Sequence, residues 1–80
     1  MMTNRERYDQ IFIDVLGASR EALGSQYTFK DTPEWDSVAH LTLISELEDA
    51  FDIMFEAYDI LHYGSYENGI TLLRKYGVDI

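Results

Sequence analysis

Residues Trp35 to Ile53 read W-D-S-V-A-H-L-T-L-I-S-E-L-E-D-A-F-D-I. Leu41, Ile44, Leu47 and Phe51 recur at steps of three and four, the spacing of one helix face, while Thr42, Glu46, Asp49 and Asp52 fall largely on the other side. The stretch predicts an amphipathic helix with an acidic face, beginning at Asp36 or Ser37. Ser37 then has two roles open to it. It is a helix cap, using its oxygen to satisfy a free backbone N–H, or it is a hydroxyl presented at a helix N-terminus for modification by another protein.

Outward from this helix, the periodicity stays helical and no sustained alternation of period two appears. A first helix is predicted from a cap at Thr3 or Asn4 to about Leu16, with Tyr8, Ile11, Phe12, Val15 and Leu16 facing inward and Gly17 ending it. Residues 17–35 carry Gly17, Gly24, Pro33 and turn-forming Ser, Thr and Asp, which predicts a long ordered loop with a helical turn near Arg20 to Leu23. Such loops are uncommon in small domains and are often functional. A short third helix is predicted around Ala57 to Tyr63, packing Ile60 and Leu61 and ending at Gly64. Ser65 then caps a fourth, from about Tyr66 to Tyr76, with Ile70, Leu73 and either Leu72 or Tyr76 inward; Arg74 and Lys75 complement its C-terminus and Gly77 stops it. The expected fold is all-α: one domain over residues 1–80, a small four-helix bundle of three longer helices and a short helix III, with a long loop between helices I and II.

Composition narrows the function. Eighty residues without Cys exclude disulfide staples and thiolate metal ligation, so the fold rests on apolar packing, for which 46% apolar and 14% aromatic residues suffice. No apolar run approaches the roughly 18 residues of a membrane span, and the opening M-M-T-N-R-E-R-Y-D lacks the apolar core of a secretion signal; a cytoplasmic protein is expected. The net charge is -9, and residues 31–73 hold ten acids and no Lys or Arg. That sign disfavours nucleic acid and anionic membranes and suits a protein partner with a basic patch. His40 and His62 are too few and too far apart for a metal site. His40 follows Ser37 by three residues, but no G-x-S-x-G elbow or Gly-rich oxyanion segment accompanies the pair, so no hydrolase is expected. Glu48 and Asp49 point in different directions on a helix, as on a solvated face.

The tripeptide Asp36-Ser37-Val38, heading an apolar seam and an acidic face that ends E-L-E-D-A-F-D-I, resembles the acyl carrier protein family, whose hallmark is D-S-[L/V/I] at the start of helix II. Helix order, loop placement and length agree along the whole chain. The resemblance implies that Ser37 receives phosphopantetheine from coenzyme A, that Asp36 helps a phosphopantetheinyl transferase recognise the site, and that Val38 fills the apolar recognition position. It implies further a carrier with no catalysis of its own. An acyl- or aminoacyl-loading ligase and downstream synthase or transferase enzymes would dock basic rims on Glu48, Asp49, Asp52 and Glu56. Leu41, Ile44, Leu47, Ile60, Leu61 and Ile70 are core, or line the interior that shelters acyl chains in that family.

The sequence also departs from the family. Ala39 and Thr42 stand where acids are frequent, Trp35 precedes Asp36 where a small residue is usual, and residues 53–64 lack the usual Pro and dense acidic run. These differences point away from housekeeping fatty acid biosynthesis and toward a specialised lipid or polyketide-like pathway. Trp35 is expected to plug the end of the bundle. Two other readings stand beside this one: an aminoacyl or peptidyl carrier such as a D-alanyl carrier, and an acidic helical interaction module in which Ser37 only caps. A monomer is expected, since no long heptad seam is present.

Overall fold

Thr3 opens the first helix with a reciprocal cap: its hydroxyl accepts from the Glu6 N–H, and the Glu6 carboxylate accepts from the Thr3 N–H. In the computed structural model, which describes residues 1–80, this helix, α1, spans Asn4–Leu16 and ends at Gly17, whose φ of 69° is the left-handed conformation that glycine adopts without strain. A single 3-10 turn follows at Arg20–Ala22. Helix α2 spans Ser37–Phe51, α3 spans Ala57–Leu61 and α4 spans Tyr66–Lys75. No strand forms. An isolated antiparallel bridge between Thr28 and Ser65 fastens the long loop, through Phe29 N–H to Gly64 C=O and Tyr66 N–H to Tyr27 C=O. The fold is therefore the expected all-α one, four helices with α3 short and a long first connection.

Aromatic rings fill the interior. Phe12 packs against Tyr8, Tyr27, Trp35 and Tyr66 with ring centroids 4.9–6.0 Å apart, mostly tilted or edge-on, the arrangement favoured by the ring quadrupoles. Trp35 is 1% exposed, so the loop aromatic does plug the bundle. Tyr8 and Tyr63 bring their hydroxyls together at 2.7 Å, and the Tyr8 hydroxyl also bonds the Tyr66 carbonyl. Gly69 is required beside them, because a Cβ there would fall 2.0 Å from the Tyr63 oxygen. Burial pushes both of these phenols up from their ordinary value.

Several inward expectations are corrected. Leu41 is 64% exposed and Leu61 80% exposed, while Leu43 is fully buried. At about 100° per residue, Leu43 lies about 40° around the helix from the buried Leu47, whereas Leu41 lies about 120° away. The apolar arc of α2 is wider than its seam, and the aromatic core takes the Leu43, Ile44, Leu47 side. Ile11, Val15, Phe51 and Ile60 are partly buried at the margin of this core, and α4 buries Ile70, Leu72 and Leu73. Helix α3 stops at Leu61 rather than Tyr63, which folds into the core instead. Its buried residue is Asp59. That carboxylate is held by Lys75 Nζ at 2.8 Å and by the Tyr76 hydroxyl, so Lys75 anchors α3 as well as complementing the end of α4. Arg74 donates to the Ile80 carbonyl.

Candidate functional site

Asp36, not Ser37, caps α2. The Asp36 backbone is extended and its Oδ1 accepts from the Ala39 N–H at 2.9 Å. Ser37 is the first helical residue, exposed, and its hydroxyl has no partner in the fold. The reading of Ser37 as the cap is thereby corrected, because the residue before it does that work. The N–H groups of Ser37 and Val38 also lack a protein acceptor, as the geometry of a first turn requires. The head of α2 thus presents a free hydroxyl, two free donors and the positive end of the helix dipole.

Beside Ser37 opens a cleft of about 360 Å3 between α2 and α3, lined by Phe29, Ser37, His40, Leu41, Ile60, Leu61 and Gly64. Leu41 and Leu61, misplaced as core, are its lips. Of the six apolar residues that the sequence offered as core or lining, Leu41, Ile60 and Leu61 border this cleft, and Ile44, Leu47 and Ile70 belong to the core. Val38, in the first turn of the same helix, is 76% exposed and does not line the cleft.

His40 does not serve Ser37. Its Nδ1 accepts from the Trp35 indole N–H at 3.0 Å, and its Nε2 lies 2.8 Å from the Ile60 carbonyl oxygen. A carbonyl only accepts, so Nε2 carries the hydrogen and the ring is held as one neutral tautomer with both nitrogens in use. No base of this chain is aimed at the serine.

The acids fall into two groups. Asp36 stands at the head of α2; Asp49, Asp52 and Glu56 stand exposed at its far end and at the start of α3, with Asp49 about 18 Å along the axis from Ser37. Asp52 terminates α2 in the left-handed region, φ 53°, which Asp tolerates better than most residues. Glu48 departs from the expected role. It is partly buried, and its Oε2 accepts from the Phe55 N–H at 2.9 Å, tying the end of α2 to the approach to α3. Sequence reasoning missed Phe29 and the bond from His40 to Ile60, since both depend on long-range placement; it also missed the Trp35–His40 bond, for which a spacing of five residues across a helix cap was the one available signal. No protein-family model matches the chain, and no curated protein matches it. No helix is long and apolar enough to cross a membrane.

Proposed function

We propose that the protein is an acyl carrier that bears phosphopantetheine on Ser37, holds acyl groups as thioesters on that arm and presents them to partner enzymes. The observation that carries this reading is the division of labour at the head of α2. Asp36 supplies the cap, which leaves the Ser37 hydroxyl exposed and unpartnered at the mouth of an apolar cleft. The residues fit the group: a phosphodiester on Ser37 meets the free N–H groups of the first turn and the helix dipole, a favourable placement worth about 0.3–1 kcal/mol at an exposed site. When bound, the arm supplies the thiol that this Cys-free chain lacks.

In the transfer, a bond forms between Ser37 Oγ and the pantetheine-side phosphorus of coenzyme A. The pyrophosphate P–O bond breaks, adenosine 3′,5′-bisphosphate departs, and the serine proton passes to a base. Both nitrogens of His40 being engaged, the transferase is the source of that base in this reading, with the carrier as its substrate. Asp49, Asp52 and Glu56 are the acids free to meet basic rims of the transferase, a loading ligase and downstream synthase or transferase enzymes. The cleft lining favours an apolar acyl cargo over an aminoacyl one, because no carboxylate lines it to pair with an ammonium group. With the departures at Trp35, Ala39 and Thr42, this supports the cargo of a specialised lipid or polyketide-like pathway. The test is intact mass after incubation with coenzyme A, Mg2+ and a permissive transferase. Wild type gains one phosphopantetheinyl group and Ser37→Ala gains none; a folded wild-type protein that gains none contradicts the reading.

A further inference from the structure

We propose that His40 is the residue that limits how deep a cargo chain can enter, so that the carrier shelters the proximal carbons of an apolar acyl group and leaves the distal carbons of a long one in water; this rests on the carrier reading above. The cleft, at about 360 Å3, lies near the lower end of the roughly 300–1,000 Å3 spanned by small-molecule sites. His40 faces it, and behind His40 stand Trp35 and Tyr63, both essentially without exposure. The imidazole is a partition between the two. It is bolted on one side to the Trp35 indole and on the other to the Ile60 carbonyl of α3, and the rings of Phe29 and Tyr63 flank it at centroid distances of 5.8 and 5.5 Å. A chain passing this point must displace the imidazole, leave a buried indole donor without an acceptor and separate α3 from α2. Nor is there room beyond it, because Tyr8, Phe12, Tyr27, Trp35 and Tyr63 already fill that end of the interior. Carbons past the partition therefore stay in water.

The test loads wild type, His40→Gln and His40→Ala from acetyl-, octanoyl- and tetradecanoyl-coenzyme A and verifies each addition by intact mass. The thermal midpoint of every loaded form is then compared with that of the acetyl form of the same variant, together with the emission of Trp35, the single tryptophan. In wild type, octanoyl raises the midpoint by about 4 °C or more, tetradecanoyl raises it no further, and Trp35 emission stays put. His40→Gln, whose amide N–H can still donate to the Ile60 carbonyl, keeps that plateau. His40→Ala loses it: its tetradecanoyl form gains beyond the octanoyl shift by the few methylenes that the vacated imidazole space takes in, and Trp35 emission moves. A residue that merely supported the fold would lower all forms alike and leave the chain-length profile unchanged. A wild-type tetradecanoyl gain equal to that of His40→Ala overturns the assignment, as does an octanoyl form no more stable than the acetyl one. Should His40→Ala not fold, His40→Ser is read in its place, with the same expected loss of the plateau and the same overturning result. Absence of added mass in folded protein overturns the carrier reading and this inference with it.

Discussion

At the scale of single residues, Asp36 and Ser37 are neighbours with opposite duties, and their substitutions separate them. Asp36→Ala removes the only side-chain cap of α2. It should cost about 0.5–2 kcal/mol and lower the thermal midpoint by about 4–8 °C per kcal/mol in a chain of this size. Ser37→Ala touches no hydrogen bond and should stay within about 0.5 kcal/mol of wild type. Scanning calorimetry of the two variants checks this; a Ser37→Ala midpoint as low as that of Asp36→Ala would return Ser37 to the role of a cap. Asp-Ser before an apolar run locates a helix start from sequence, but it does not say which oxygen turns toward the backbone, because both types cap well. Local chemistry was legible elsewhere: Thr3, Gly17, Ser65 and Gly77 sit at helix ends as read. Tertiary partners were not. Glu48 reads as one more acid on a solvated face until Phe55 N–H is found against it.

At the scale of elements, α3 is too short to be stable from its own hydrogen bonds and depends on what it docks against. It is fixed by His40 at the Ile60 carbonyl and by Lys75 and Tyr76 at Asp59. Hydrogen bonds from Lys75 and then Tyr76 hold the Asp59 carboxyl below its ordinary value of 3.8. A carboxyl lowered in the folded state contributes stability that is complete above 3.8 and is lost as pH falls through the lowered value. The midpoint of wild type should accordingly exceed that of Asp59→Asn at neutral pH, and the gap should close on acidification below 3.8. A gap independent of pH would show that the Asp59 charge is not what anchors α3. This element was the least legible of the four. Its buried Asp59 is held by partners 16 and 17 residues downstream and its Ile60 carbonyl by His40, 20 residues upstream, which a five-residue stretch cannot encode by periodicity. The same physics misplaced Leu41 and Leu61: spacing identifies apolar positions without telling a packed seam from the lip of a cleft.

At the scale of the whole molecule, the charge is segregated. The ten acids between residues 31 and 73 face no Lys or Arg of that segment, and the six basic residues lie outside it. Of these, Lys75 is spent on Asp59, and Arg5 is engaged by Tyr66. The exposed acids Asp49, Asp52 and Glu56 lie at the far end of α2 and the start of α3, with Arg7 set against the Ala50 carbonyl nearby, and outnumber it in a field that steers a basic partner. Modification by the transferase should slow as salt is raised, through KM more than kcat, since the screening length shrinks from about 10 Å at 0.1 M to about 3 Å at 1 M. The triple variant Asp49→Asn, Asp52→Asn, Glu56→Gln should flatten that dependence; an unchanged salt slope in the triple variant would remove these acids from the docking surface.

The central claim is that Ser37 is the attachment point, and site localisation tests it most directly. After reaction with coenzyme A and a transferase, cleavage following Glu34 and Glu46 releases the segment from Trp35 to Glu46, which contains Ser37 and Ser45. Fragmentation of that segment by tandem mass spectrometry is predicted to place the whole added phosphopantetheinyl mass on Ser37. The added mass on Ser45, on Ser65 in another segment, or nowhere in folded protein would contradict the account.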